Sequence, residues 1–296
     1  MAEHIEHMKD GIYEKVMSKE FADKLMEAIE AKKVWAERDD ADAYEATGYL
    51  SSYLEKLIRL CLKDIADRNT EAVLSDEIEL TNQLVEMLAE RLPDLGHGHS
   101  VVKNQFLLKS LEHVANKTSP RKWESPDTSL TKSFLFTNSH NDTSMVSELR
   151  KEIMSADRID FLVSFIRFSG LALLLPYLRD FTNKGGHLRV ITTIYMGATD
   201  PKAVVELAKL PNTEIHISYN VKETRLHAKS YIFHRDSQFS TAYIGSSNLS
   251  HAAIAEGLEW NMKITEQDMP SIMEKMTATF ETYWNSDEFQ VFHVEQ

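Results

Sequence analysis

The sequence predicts an α/β fold, a mixed β-sheet flanked by helices, preceded by an N-terminal all-α domain. Three observations carry this. Apolar residues in the first 115 positions recur at helical spacing. A polar stretch with Thr118-Ser119-Pro120 and Ser125-Pro126-Asp127 then interrupts the pattern. From Phe134 onward, short β-leaning runs alternate with amphipathic segments, the pattern of a sheet covered on both faces. The expected organisation is a helical domain over 1–115, a linker over 116–131, an α/β domain over 132–286 and a tail over 287–296.

In the first part, Ile12, Val16, Leu25 and Ile29 define one helical face, and Leu50, Leu54, Leu57, Ile58, Cys61 and Ile65 another. On this reading Cys61 is a core residue. A third helix runs from Asp76, its expected cap, through Leu80, Leu84 and Leu88 to Leu92, where Pro93 and Gly96 end it. A fourth covers 103–115. Beyond the linker, Phe134-Leu135-Phe136 reads as a strand. A helix capped at Asp142-Thr143 uses Met145, Leu149 and Ile153. Strands follow over 158–166 and 188–194, separated by a helix over 171–182 that Gly185-Gly186 closes. Asp200-Pro201 opens the next helix, with the proline where its missing N–H is not needed. Strands over 213–218, 228–233, 241–244 and 258–264 and a helix over 269–284 complete the pattern.

The chemistry concentrates in Leu226-His227-Ala228-Lys229 and Gly245-Ser246-Ser247-Asn248. His227 and Lys229 are two apart, so on a strand they emerge on one face. Alone, such a pair is an ordinary strand end. Followed by a turn rich in short donors, it suits a phosphate ester: an imidazole can attack phosphorus while ammonium, hydroxyl, amide and N–H groups hold the oxygens. His97-Gly98-His99 lacks companions at metal-site spacing and reads as a polar loop.

His-x-Lys followed by Gly-Ser-x-Asn resembles the signature of the phospholipase D superfamily. Glu259-Trp260-Asn261 agrees, placing a glutamate where the small nucleases of that superfamily have one. Residues 134–286, with Thr192-Thr193-Ile194-Tyr195-Met196-Gly197 and Thr241-Ala242-Tyr243-Ile244-Gly245, look like the nuclease domain fused in front of superfamily-2 DNA helicases. One position departs from the pattern: His234 stands where the superfamily has a supporting aspartate, and Asp236 is not assumed to replace it.

The resemblance implies a phospholipase D-like sheet and phosphodiester cleavage in two displacements through a phosphohistidine on His227. Lys229, Asn248 and Ser246 then neutralise the phosphate oxygens, and Glu259 fixes the His227 tautomer. Arg225 and Tyr195 line the substrate groove, and Arg167, Arg189, Lys229 and Arg235 add to its positive charge. No metal and no cofactor are implied. The chain carries a single H-x-K, whereas the superfamily brings two together, so the implied assembly is a homodimer sharing one active site. The implied partners are nucleic acid, DNA before RNA, and a helicase domain or partner reached beyond residues 283–289, in a restriction or phage-defence setting. Two other classes stay open: a catalytically weak DNA-binding and dimerisation module, and a phospholipid or nucleotide phosphodiesterase.

Composition narrows the choice. The single cysteine among 296 residues excludes an internal disulfide framework and fits a reducing cytoplasm. The apolar run 161–178 is broken by Arg167, Gly170 and Pro176, so no membrane span is expected. No Walker A loop is present. The net charge of −13 opposes a nucleic-acid role. It is uneven, however, −9 over 1–130 and −4 over 131–296, so the acidic half is not the expected DNA grip.

Overall fold

The computed structural model describes all residues except 1–4, 6–7, 41, 69–71, 93–96, 113–123, 138, 140–142, 221–225, 258 and 295–296. The chain divides into two units, Met1–Leu111 and Glu112–Gln296.

The first unit holds α1 (Lys19–Glu30), α2 (Ala43–Arg68) and α3 (Val73–Ala89). Helix α1 is capped by Ser18, whose side chain accepts from the Phe21 N–H. It buries Phe21, Leu25 and Ala28 in a small cluster with Ile5. Ile12 and Val16 lie outside α1 in extended chain, and Ile12 is fully exposed. Asp76 sits in the first turn of α3, not at its cap, which is Ala72. There its carboxylate still faces the positive end of the helix dipole. The expected fourth helix is absent over 103–112, where Phe106, Leu107, Leu108 and Leu111 are exposed. A short segment without an apolar partner does not hold helix by propensity alone. Cys61 is likewise exposed, not core, because the described residues leave its face of α2 open.

The second unit is one eight-stranded sheet with helices on both faces. In chain order it comprises β1 (Phe134–Phe136), α4 (Met145–Ser155), β2 (Arg158–Val163), α5 (Phe168–Asn183), β3 (His187–Thr193), α6 (Pro201–Ala208), β4 (Thr213–Ser218), β5 (Lys229–His234), β6 (Thr241–Gly245), β7 (Asn261–Thr265), α7 (Pro270–Trp284) and β8 (Phe289–Val291). Spatial order is β1-β7-β6-β5-β2-β3-β4-β8. The pairs β2–β3 and β3–β4 are parallel and the others antiparallel. Helices α4, α5 and α6 cover one face around Phe161, Val190, Tyr231 and Tyr243. Helix α7 covers the other through Met273 and Phe280 against Leu162, Ile191 and Ile232.

Local signals are moved slightly from their expected places. The cap of α4 is Ser144, which accepts from the Ser147 N–H; Asp142 lies outside the described residues. Asp200 precedes α6 but does not cap it with its side chain. Its carboxylate instead accepts from the Phe168 N–H at the start of α5 and pairs with Arg167. Residues 289–291, expected as tail, form β8 on the outer edge of β4.

The α4 side of the sheet buries four charges. Glu148 and Glu152 lie on the same face of α4 as Met145, Leu149 and Ile153, and all five are buried. The Lys263 ammonium lies 2.9 Å from both carboxylates. Arg235 donates to Glu152 at 2.5 Å, and the Tyr243 hydroxyl donates to Glu152 at 2.7 Å. Burial pushes the Glu152 carboxyl up, but the charges of Arg235 and Lys263 outweigh it and hold the group below its ordinary value. Thr128 and the Asp127 N–H complete the shell around Glu148.

Replacing Lys263 by Met strands two buried carboxylates beside one remaining cation, so stability is expected to fall by about 3–5 kcal/mol. Urea unfolding of the variant checks this. Because the folded pKa of Glu152 is depressed, its contribution is present at neutral pH. It is lost as pH falls from the ordinary carboxylate value of 4.5 through the lower folded value. Acid titration of the unfolding midpoint is expected to show that loss in wild type.

Candidate active site

All the motif segments reach the same end of the sheet. Because β2, β3 and β6 run toward that end and β5 and β7 start from it, Val163 pairs with Lys229, Ser230 with Ile244, and Gly245 with Asn261. The chain beyond β2 then grips both motifs. The Ser164 backbone N–H and hydroxyl donate to the Ala228 carbonyl at 3.1 and 3.2 Å. The next residue, Phe165, donates its N–H to Oδ1 of Asn248 at 3.1 Å. Ile166 continues the contact as an isolated parallel bridge to Leu249. Consecutive residues therefore position the H-x-K segment and the asparagine.

His227 is exposed at this end, two residues before β5 begins at Lys229. Lys229 is 5% exposed, and its ammonium donates to the His227 carbonyl at 2.6 Å. Burial lowers the pKa of Lys229, while the nearby charge of Glu259 opposes the shift. The contrast with Lys263 is instructive. That lysine is neutralised by two carboxylates, whereas the hydrogen bond of Lys229 goes to a neutral carbonyl. A buried ammonium held this way is poised for an anion.

The Gly-Ser-Ser-Asn turn has a physical reason at each position. A Cβ at Gly245 would collide with the Trp260 carbonyl and Asn261, so only glycine lets β6 and the start of β7 approach this closely. Ser246 exchanges bonds with the backbone of Trp260, its N–H donating at 3.1 Å and its hydroxyl accepting at 3.2 Å. Ser247 is fully buried. Its hydroxyl donates to the Ala253 carbonyl and accepts from the Asn261 amide, and its carbonyl accepts from the Tyr231 hydroxyl. Asn248 accepts from Phe165 through Oδ1, which leaves its Nδ2 donors to serve another acceptor. A π-helical turn over Ala252–Glu256 follows, and Ser250 packs so tightly on Gly170 of α5 that no side chain fits there.

The expected residues separate into groups. His227, Lys229, Asn248 and Ser246 are brought to one sheet end. Glu259 is near enough to act electrostatically on Lys229 and on buried Tyr231, and no hydrogen bond joins it to His227 among the described residues. Ser246 reaches this end with its hydroxyl already engaged by Trp260. Tyr195 begins a 3-10 turn after β3 at the same end, its N–H bonded to the Thr193 hydroxyl. Arg225 lies outside the described residues.

Two arginines expected in a basic groove are elsewhere. Arg189 lies toward the opposite end, bonded to Asp160 at 2.7 and 2.8 Å and to Glu281 at 2.6 Å. Arg235 is buried on Glu152. Arg167 is half exposed but paired with Asp200. Each sits beside a buried or nearby carboxylate that the linear sequence does not reveal. His234 also belongs to the far end. Its Nε2 lies 2.7 Å from the Asp160 carboxylate on the neighbouring strand. Burial pushes Asp160 up, yet the hydrogen bonds and charges of His234 and Arg189 hold it below the usual carboxylate range.

Sequence reasoning missed Ser164, Phe165 and Asn261 as positioning residues. The run Glu259-Trp260-Asn261 carried a signal for the last; nothing local marked the first two. Among the described residues, no group of three His, Cys, Asp or Glu side chains is arranged to hold a metal ion. Among the described residues, no helix is long and apolar enough to cross a membrane.

Comparison with known proteins bears on this geometry. Residues 149–284 match the family model described as "Cardiolipin synthase, PLD-like domain". Among solved structures, NucT from Helicobacter pylori is similar, at 17% identity over 54% of this chain and 99% of that chain, with a TM-score of 0.44. Nuc from Salmonella typhimurium, a phospholipase D family member, gives 19% identity over 49% of this chain and 89% of that chain, with a TM-score of 0.39. TrmBL2, an archaeal chromatin protein, gives 10% over 91% and 81%, with a TM-score of 0.36. No curated protein matches. Residues 149–284, which carry both motifs and the sheet end they share, are thus similar to a phospholipase D-like domain over a little under half of the chain.

Proposed function

We propose that the chain is a metal-independent phosphodiesterase that cleaves nucleic acid, DNA before RNA, through a phosphohistidine on His227. The observation that supports this best is the pairing of an exposed imidazole with a buried ammonium whose hydrogen bond, among the described residues, goes to a carbonyl. In the first displacement His227 attacks phosphorus, a P–N bond forms, and the P–O bond to the leaving group breaks. An acid gives its proton to the departing oxygen. Water then attacks the phosphohistidine, losing a proton to a base, and frees the imidazole. Lys229 and the amide of Asn248 stabilise the charge that builds on the non-bridging oxygens. Glu259 sustains the protonated state of Lys229. A helicase domain or partner, and a restriction or phage-defence setting, remain the proposed context on the strength of the motif resemblance. A phospholipid substrate has less support, since the motif resemblance is to nucleases.

His227→Ala is expected to lower cleavage of single- or double-stranded DNA by at least about 10³-fold while leaving unfolding unchanged, and wild-type cleavage is expected to persist in EDTA. Wild type quenched in alkaline denaturant should carry a covalently bound nucleotide that is labile in acid and stable in base. A binding module would keep DNA affinity and show no cleavage in either protein; activity on vesicles or small diesters alone would reassign the substrate.

The electrostatic role of Glu259 has a separate signature. Removing its charge in Glu259→Gln deprives Lys229 of the interaction that opposes desolvation, so the lysine pKa falls further. The alkaline limb of the cleavage profile is therefore expected to move to lower pH. An unshifted limb with a uniformly lower rate would restrict Glu259 to another task.

A further inference from the structure

We infer that Trp260 is a stacking platform for a base beside the scissile phosphate, so that the nucleic acid enters the site as a single strand. The inference rests on the proposed phosphodiesterase reading and names the form of nucleic acid that the site takes.

Trp260 stands between two residues tied to the site. Glu259 before it acts on Lys229 and Tyr231, and Asn261 after it holds Ser247. Its backbone is fixed on both sides, the N–H donating to the Ser246 hydroxyl and the carbonyl accepting from the Ser246 N–H. The indole is 68% exposed, and among the described residues no ring or cation packs on it. Trp284 shows the contrast, since its ring is stacked on His216 and Phe280. A large flat ring on a fixed backbone loses little freedom when a second flat group covers it.

Placement and charge select that group. Only β6 separates β7 from β5, so the backbone of Trp260 lies about 10 Å from the H-x-K segment, two strand spacings away. Side chains alternate along a strand. Asn261 is in step with Lys263, whose ammonium reaches α4, and Lys229 is in step with Tyr231 on that same side. Trp260 is in step with Met262 on the α7 side. A nucleotide seated across the sheet end would keep its phosphate on the Lys229 side and lay its base, one sugar away, on the indole. The flank toward β3 carries cations, Arg167 held by Asp200 and Lys202 over the Phe168 ring. The described sheet neighbours of Trp260 are instead Ile244, Met262 and Ser246, with the Glu259 carboxylate beside them. That flank suits a base and repels a phosphate. A duplex presents charged backbones and keeps its bases stacked inside. A single strand can turn an unstacked base onto an aromatic ring whatever its sequence.

The test compares the full chain with Trp260→Ala and Trp260→Phe, each checked for folding by circular dichroism. Affinity for oligothymidylate, for its duplex with oligoadenylate and for an abasic strand of equal length is read in the His227→Ala background, which keeps the strands intact. Cleavage of the same three is read with His227 present. Trp260→Ala is expected to bind oligothymidylate about 5- to 100-fold more weakly, the loss of one base stack, and Trp260→Phe to retain most of the affinity. The abasic strand should bind weakly with or without the indole, a comparison that stands even if Trp260→Ala misfolds. Wild type should cleave the single strand faster than the duplex, and Trp260→Ala should lose that advantage. Equal action of wild type on strand and duplex would overturn the inference. So would an equal loss on the abasic strand, which marks a structural role. A lower mass in sedimentation of Trp260→Ala, with loss on all three substrates, would make the indole a contact between copies and also overturn it. A single strand that binds through Trp260 but is not cleaved by wild type would uphold the platform and defeat the phosphodiesterase reading.

Discussion

The site depends on the two residues that follow β2. Ser164 holds Ala228, between His227 and Lys229, and Phe165 holds Asn248. Each bond contributes only about 1 kcal/mol net. Their effect is positional, because they are adjacent on a chain fixed by strands on both sides. β2 pairs with β3 along five positions and with β5 along six, so its end cannot drift without breaking the centre of the sheet. A one-residue slip of β5 would turn His227 and Lys229 to the opposite face.

Charge distribution sets that register from the other side. Glu148, Glu152, Lys263 and Arg235 meet across α4, β7 and the turn after β5, and Asp160, Arg189, His234 and Glu281 meet across β2, β3, β5 and α7. Buried pairs of this kind add little net stability over an apolar core, but a mispaired strand would leave a charge buried alone. They penalise wrong registers more than they reward the right one. They also consume the cations the sheet could otherwise offer a ligand. Lys229 escapes this neutralisation, and that is the electrostatic distinction of the site end.

What the sequence disclosed follows the range of the interactions concerned. Strands and helices of the second unit were legible because each records its burial in local periodicity, as Met145, Leu149 and Ile153 do on α4. The motif residues were legible because the chemistry demands them at fixed spacing. Glu148 and Glu152 were not, since a glutamate on a helix reads as solvated until its partner from β7 is known. For the same reason Arg189 and Arg235 looked available: their carboxylates lie 29 and 83 residues away in the chain. Strand β8 was missed because three residues anchored by one buried phenylalanine leave too short a pattern. The helix expected over 103–115 failed in the opposite sense, showing a pattern without a surface to bury it.

The acidity of the whole chain sets a limit on how this site can meet a polyanion. At physiological ionic strength screening acts over about 8 Å, so a phosphate at the sheet end responds chiefly to Lys229 and its neighbours, and distant carboxylates act on the rate of encounter. The site thus combines a locally favourable potential with a globally unfavourable one. Fast, sequence-blind capture from solution does not suit that combination. Delivery of the phosphodiester by a separate nucleic-acid-binding element does, because a tethered substrate is present at high effective concentration whatever the long-range field. The first unit, which holds 23 of the 46 acidic residues, is poorly suited to be that element. On the proposed function, capture of the nucleic acid falls to another domain or protein, and positioning of the phosphodiester falls to this site.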